Sequence, residues 1–68
     1  MSSKETDLYT LTNKSERLLY EFQKQTSGMY RVIRVWLNDG EREYMGTYQT
    51  GAARGFWNSL VSSGFTRA

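Results

Sequence analysis

The chain contains no cysteine and no histidine among its 68 residues. Without cysteine it has no disulfide bridge, no thiolate metal site and no cysteine nucleophile. Without histidine it also lacks the usual general base near neutral pH and the other common zinc ligand. No metal-ligand spacing is present, and Gly51 and Gly55 are not followed by the Lys-Ser/Thr pair of a phosphate-binding loop. We therefore expect a protein that is not an enzyme and uses neither metal nor cofactor.

Two carboxylates are the closest approach to a catalytic pair. Glu41 and Glu43 lie on one face of a predicted strand beside a turn, a spacing that in principle allows acid–base chemistry. Nothing apolar surrounds them in sequence to raise a pKa. The favoured interpretation is therefore a pair of solvated charges facing arginines.

Acidic residues are missing from the C-terminal part of the chain. Every one lies at or before Glu43, so the 25 residues that follow carry only Arg54 and Arg67 as charges. With a net charge of only +2, this asymmetry is compatible with a nucleic acid or an acidic protein surface but is no polybasic tract. No apolar run approaches the ~20 residues of a membrane span, and the start, MSSKETD, is too polar for a signal peptide. We expect a cytoplasmic protein.

A chain of this length has room for one domain. Residues 1–7 are short and polar, which predicts a flexible N-terminus, and residues 8–68 are predicted to form the domain. Weak alternation over residues 7–12 indicates a short edge strand. Asn13 with Glu16 resembles a capping box, and Leu18, Leu19 and Phe22 follow at helical spacing, so a first helix is predicted over residues 14–25.

A β-hairpin is predicted next. Residues 29–37 (MYRVIRVWL) are rich in β-branched and aromatic side chains, Asn38-Asp39-Gly40 signals a tight turn, and residues 41–47 return as the partner strand. If Asp39-Gly40 is the loop, one hairpin face is predicted to lie under the C-terminal helix, and the helix backbone is predicted to come close to the sheet at Gly46. The residues of that face are Leu37, Val35, Ile33, Tyr44 and Tyr48. The other face, covered by the first helix or exposed, holds Tyr30, Val32, Arg34 and Trp36. A three-residue loop would swap the two faces.

The C-terminal segment, residues 50–65, has the pattern of a helix with both ends specified. Thr50 is the predicted N-cap, Gly64 the left-handed residue after the helix, and Phe65 the side chain that folds back on Leu60. An apolar stripe faces the sheet and consists of Ala53, Phe56, Trp57, Leu60 and Val61. The predicted fold is a small single α+β domain: a possible N-terminal strand that would make the sheet three-stranded and antiparallel, a helix, the β-hairpin, and a C-terminal helix packed on the sheet.

The opposite side of this helix, which we name the helix back, carries no charge: Gly51, Gly55, Asn58, Ser59 and Ser62. Another chain can approach such a surface closely, and a 68-residue domain with 15% aromatics cannot bury all of them. We therefore expect a small accessory or regulatory protein that binds a larger protein partner. The predicted contacts are Tyr30, Arg34 and Trp36 on the hairpin and Gly55, Asn58 and Ser62 on the helix back. An outer face of small polar residues without a partner, and a homodimer through the helix back or the hairpin edge, remain alternatives.

Nucleic-acid binding is the alternative function. The hairpin interleaves arginines with aromatic residues, a combination that contacts phosphates and stacks on bases. The predicted contacts are Arg31, Arg34, Trp36 and Arg42. The competing interpretation is that these aromatics belong mostly to the core.

Two resemblances accompany these readings. The hairpin and the start of the C-terminal helix resemble the ethylene-response-factor DNA-binding domain and the arm-binding domain of phage integrases. The segments that carry the resemblance are Val35-Trp36-Leu37, Met45-Gly46-Thr47-Tyr48-Gln49-Thr50 and Ala53-Arg54. The resemblance implies a short sheet in the DNA major groove with a helix behind it. The chain departs from those domains by the predicted first helix and by acidic residues at the would-be DNA face: Asp39, Glu41 and Glu43.

The C-terminal helix also resembles that of short uncharacterised cyanobacterial proteins. The matching residues are Ala53, Trp57, Leu60, Gly64, Phe65 and Arg67. This second resemblance implies a bacterial or phage source and a small accessory protein.

Overall fold

The computed structural model describes residues 8–67 and has one helix packed on one five-stranded sheet. The elements in chain order are β1 (Leu8–Asn13), β2 (Leu18–Lys24), β3 (Tyr30–Trp36), β4 (Arg42–Tyr48), α1 (Thr50–Ser62) and β5 (Thr66–Arg67). The sheet order is β4-β3-β2-β1-β5, and every neighbouring pair is antiparallel. The α+β class is confirmed. The predicted flexible N-terminus, residues 1–7, lies outside the described residues, as does residue 68.

The predicted N-terminal strand is confirmed as β1, but the sheet has five strands rather than three. After α1 the chain returns to the sheet, and β5 pairs with the outer side of β1 through Leu11↔Arg67 and Thr12↔Thr66. β1 therefore lies between β2 and β5 and is not an edge strand.

The predicted first helix over residues 14–25 is wrong. The Asn13 side chain does accept a hydrogen bond from the Glu16 amide at 3.1 Å, as in a capping box, but here the bond closes a turn in which Arg17 adopts a left-handed φ of 58°. The chain then continues as β2, a central strand. Tyr20 and Phe22 alternate into the core, so the period that decides this segment is two, not 3.6.

The predicted two-residue hairpin loop is also wrong. Residues 37–40 form the loop between Trp36 and Glu41, whose backbones are joined by a hydrogen bond from the Trp36 amide to the Glu41 carbonyl at 2.9 Å. The pairs are therefore Val35↔Arg42 and Arg34↔Glu43, two residues away from the predicted register.

The hairpin faces are also reversed relative to the helix, for every assigned residue except Tyr48 and Leu37, and Leu37 lies in the loop rather than on a face. Val32 pairs with core residue Phe22, so the alternation places on the helix side the set Tyr30, Val32, Arg34 and Trp36. The opposite face holds Ile33, Val35 and Tyr44. A register shift between Val32 and Ile33 returns Tyr48 to the helix side. Gly46 has a φ of 130°, and a Cβ there would lie 3.3 Å from the Tyr48 ring, so its close neighbour is that ring and not the helix.

The C-terminal helix ends as predicted. Gly64 has a φ of 105°, its amide donates to the Val61 carbonyl at 3.1 Å, and the Phe65 amide donates to the Leu60 carbonyl at 3.0 Å. These two bonds define a Schellman motif and bring buried Phe65 back onto buried Leu60.

The start of the helix differs from the prediction. Gln49 is the N-cap, and no side-chain capping bond is found among the described residues. Thr50 is already helical, and its hydroxyl donates instead to the Gly28 carbonyl at 3.2 Å.

The core lies between α1 and one face of the sheet. Its buried members are Leu11, Tyr20, Phe22, Val32, Ala53, Leu60 and Phe65. Edge-to-face aromatic contacts connect the layers: the Phe22 ring centroid lies 5.6 Å from that of Phe56 and 5.2 Å from that of Trp57. Four members of the predicted apolar stripe pack here, while the fifth, Val61, is 47% exposed.

Candidate interaction surfaces

One face of the sheet has no second layer within residues 8–67, and we call it the open sheet face. Strand alternation and pairing register place on it Leu8, Thr10, Thr12, Leu19, Glu21, Gln23, Arg31, Ile33, Val35, Arg42, Tyr44 and Thr47. Strand β3 is apolar on both sides, with Val32 toward α1 and Ile33 and Val35 toward the open sheet face. Arg31 and Arg34 interrupt this pattern, one on each side, so it is weaker than the continuous apolar run of a strand covered on both faces.

An arginine and a tyrosine stack at the β3–β4 side of this face. The Arg31 guanidinium lies 5.5 Å from the centroid of the Tyr44 ring, and the Tyr44 hydroxyl is hydrogen-bonded to Thr47 Oγ1. Tyr44 is 56% exposed, whereas neighbouring Ile33 is only 7% exposed. The stack therefore presents a cation and an aromatic ring together on the surface.

An ion pair crosses the same face. Arg42 donates to both carboxylate oxygens of Glu21, at 2.8 and 3.1 Å, and this hydrogen bonding lowers the pKa of the Glu21 carboxyl. The charge of Arg42 is thus matched within the protein. Arg31 has no carboxylate partner among residues 8–67 and is the face's unmatched cation.

The other predicted hairpin contacts lie on the helix side of the sheet. The Arg34 guanidinium covers the Trp36 ring at 4.6 Å and is paired with Glu43, and the pKa of Arg34 is raised first by that bond and then by Tyr20. Tyr30 packs against the core. All three predicted partner contacts on the hairpin are therefore half-buried and engaged within the molecule.

The four predicted nucleic-acid contacts do not form one surface. Arg31 and Arg42 project from the open sheet face, whereas Arg34 and Trp36 project from the helix side. A ligand bound flat on either face reaches only two of them.

The helix back is exposed as predicted, including Gly55, Asn58 and Ser62. A Cβ at Gly51 or Gly55 would meet nothing within 4 Å, and neither glycine has a positive φ. Glycine inside a helix costs up to about 1 kcal/mol relative to alanine. Within the described chain, neither steric crowding nor backbone conformation explains why glycine, rather than alanine, occupies these two positions.

The open sheet face is the surface that sequence reasoning missed. Its signal was the run Val32-Ile33 followed by Val35, which puts apolar side chains on both sides of one strand. The pattern did not indicate an open face, because residues 14–25 were expected to form a helix that could cover the second side of the sheet.

Over residues 8–67, no three His, Cys, Asp or Glu side chains come together as a metal site. Helix α1 has 13 residues, and the described part of the chain holds no helix of the length and apolarity needed to cross a bilayer.

Comparisons with protein-family models, with curated proteins and with solved structures find no match. The two resemblances based on individual residues therefore stay predictions.

Proposed function

We propose that this protein is a small non-enzymatic accessory or regulatory protein whose open sheet face binds a larger protein partner. The observation that supports it is the pair of apolar side chains that β3 places on the open sheet face. Ile33 and Val35 are apolar side chains of an inner strand, and no second layer within residues 8–67 packs on them; Ile33 is only 7% exposed and Val35 is half-buried, because side chains of the same face shield them. Domains usually bury each strongly apolar face against another layer.

The composition of this face suits a protein interface. The face carries apolar side chains from four strands, and two of them are largely exposed, Leu8 at 57% and Tyr44 at 56%; the cross-strand neighbours of Ile33 are Glu21 and Tyr44. Interface centres are poor in charge and rich in tyrosine and aliphatic groups, with a polar rim. Threonine and glutamine side chains supply neutral hydrogen-bonding groups here: Thr10, Thr12, Gln23 and Thr47. The Glu21–Arg42 pair adds little net charge.

The helix back is the second proposed contact. Its two exposed glycines leave room for another backbone or a flat side chain. Because α1 covers the other side of the sheet, the two surfaces point in opposite directions. One protein can therefore engage two sites of an assembly.

The experiment is a pull-down from native extract with tagged protein, divided into nuclease-treated and untreated halves. We expect a discrete protein that survives nuclease. Tyr44→Ala should release it if the open sheet face is the contact, and Gly55→Glu should release it if the helix back is. A partner that both variants retain contradicts both surface assignments. Sedimentation of the purified protein tests the homodimer alternative, in which a second copy binds through the helix back or pairs with β4, the edge strand of the hairpin.

Nucleic-acid binding is the second candidate, favoured by the Arg31–Tyr44 stack. An unmatched guanidinium beside an exposed ring can hold a phosphate while a base stacks. Partners that vanish with nuclease would point to this function. Titrations with single- and double-stranded DNA at two salt concentrations should then show that Arg31→Ala reduces the salt slope by about one unit, as expected for one phosphate contact. Arg34→Ala is the matched control, because Arg34 lies on the helix side. Equal effects of the two variants would contradict binding at the open sheet face.

A further inference from the structure

A cavity of about 230 Å³ lies on the helix side of the sheet, away from the open sheet face. It lies between the first half of α1 and strands β1, β2, β3 and β5. The lining residues are Tyr9, Phe22, Tyr30, Thr50, Ala53, Arg54, Trp57 and Arg67. Four of the eight are aromatic, two are arginines, and none is acidic.

Both cations of the acid-free C-terminal segment meet at this cavity. Arg54 comes from α1 and Arg67 from β5, and both are exposed. Within the described residues, neither is ion-paired with a carboxylate. Thr50, the first helical residue, also lines the cavity, and the first turn of α1 has no acidic residue, so the positive end of the helix dipole adds to the same field. The electrostatic environment of the cavity therefore favours an anion.

The walls favour a flat apolar group. Trp57 meets Phe22 edge to face with the ring centroids 5.2 Å apart, and it meets Tyr9 at 6.4 Å with an interplanar angle of 85°. Rings fixed at such angles offer both faces and edges to a further ring. Sites for drug-sized ligands measure about 300–1,000 Å³, and this cavity is smaller, so it fits a single ring with one substituent.

We propose that the cavity binds a small aromatic anion, a single planar ring that carries a carboxylate or a phosphate. The ring packs against Trp57, and the anionic group is held by Arg54 and Arg67. Planar guanidinium groups match the oxygens of both anions. This site is separate from the open sheet face, because it lies on the other side of the sheet.

The test is an NMR titration of the isotopically labelled full chain with probes of one ring size and different charge. Phenyl phosphate and benzoate are the anionic probes, benzamide the neutral one, benzamidine the cationic one, and inorganic phosphate lacks the ring. We expect saturable amide shifts at residues 50–57 and at Arg67 with the two anionic rings. The neutral ring should bind about tenfold more weakly or worse, as one lost charge-assisted hydrogen bond predicts. Comparison of phenyl phosphate with benzoate identifies the preferred anion.

Arginine variants locate the anion. Arg54→Gln and Arg67→Gln should each weaken binding of the preferred anion about tenfold, and Arg31→Gln, on the open sheet face, should leave it unchanged. The proposal is overturned if benzamide binds as tightly as the anions, if inorganic phosphate binds as tightly as phenyl phosphate, or if no probe saturates at millimolar concentration. Because the probe series uses the unmodified protein, the outcome does not depend on how well a variant folds.

Discussion

The same substitution at two glycines of one helical segment should change stability in opposite directions. Gly55 lies inside α1 with an ordinary helical φ and open space around its Cα, so Gly55→Ala gains helix propensity without a clash. Gly64 ends the helix with a φ of 105°, and its nearest neighbour for a new Cβ, Asn13 Nδ2, is at an ordinary 3.5 Å. Gly64→Ala therefore introduces backbone strain without crowding.

The magnitudes follow from these two environments. Gly55→Ala should raise the free energy of unfolding by about 0.8–1.0 kcal/mol. Gly64→Ala should lower it by about 1–2 kcal/mol, the cost of a left-handed conformation for a residue with a Cβ. In a domain of this size each 1 kcal/mol corresponds to a shift of about 4–8 °C in Tm. The two variants should therefore lie on opposite sides of the wild type, separated by about 7–24 °C.

The assay is thermal and urea unfolding followed by circular dichroism, at one protein concentration for all three proteins. A destabilised Gly55→Ala variant would refute the reasoning, because it would mean that the helix back is crowded within the molecule. An unchanged Gly64→Ala variant would refute the assigned helix end. Partner binding supplies a second readout: if the helix back docks closely, Gly55→Ala should be more stable and yet bind more weakly.

Two further variant sets test the core and the open sheet face. Phe22 is 2% exposed and contacts two aromatic rings of α1, so Phe22→Ala should lower the free energy of unfolding by about 3–5 kcal/mol, much of the ~3–10 kcal/mol expected for this length. Tyr44 is exposed, so Tyr44→Ala should lower it by less than about 1 kcal/mol. Similar urea midpoints for the two variants would contradict the core assignment. The lowered pKa of Glu21 means that its bond with Arg42 stabilises the fold above the ordinary carboxyl pKa of 4.5 and loses that effect as the pH falls through the lowered value. Urea midpoints should therefore show Glu21→Gln less stable than the wild type at neutral pH, with the difference shrinking in acid, and a difference independent of pH would contradict the pair.

Sequence reasoning was most successful where structure depends on near neighbours. The end of α1 is an example, since Leu60, Gly64 and Phe65 form a Schellman motif through bonds that span at most five residues. The apolar stripe of α1 and the existence of β1 and of the β3–β4 hairpin were likewise predictable. Each depends on a local period or a local turn signal.

Only the tertiary structure decided the middle of the fold. Leu18, Leu19 and Phe22 suit a helix, while Leu18, Tyr20 and Phe22 suit a strand, and the same seven residues satisfy both patterns. Pairing with β1 on one side and β3 on the other selects the strand, because a central position satisfies its backbone groups and buries Tyr20 and Phe22.

That selection also decided the candidate sites. With β2 as a neighbour, β3 turns Val32 and Arg34 toward α1 and Arg31 and Ile33 away from it, so residues that are adjacent in sequence belong to different surfaces. The chain itself determined that aromatic rings and arginines are concentrated after residue 28 and that no acid follows Glu43. Which of them share a surface or a cavity was decided by strand register, which depends on contacts between residues far apart in the chain.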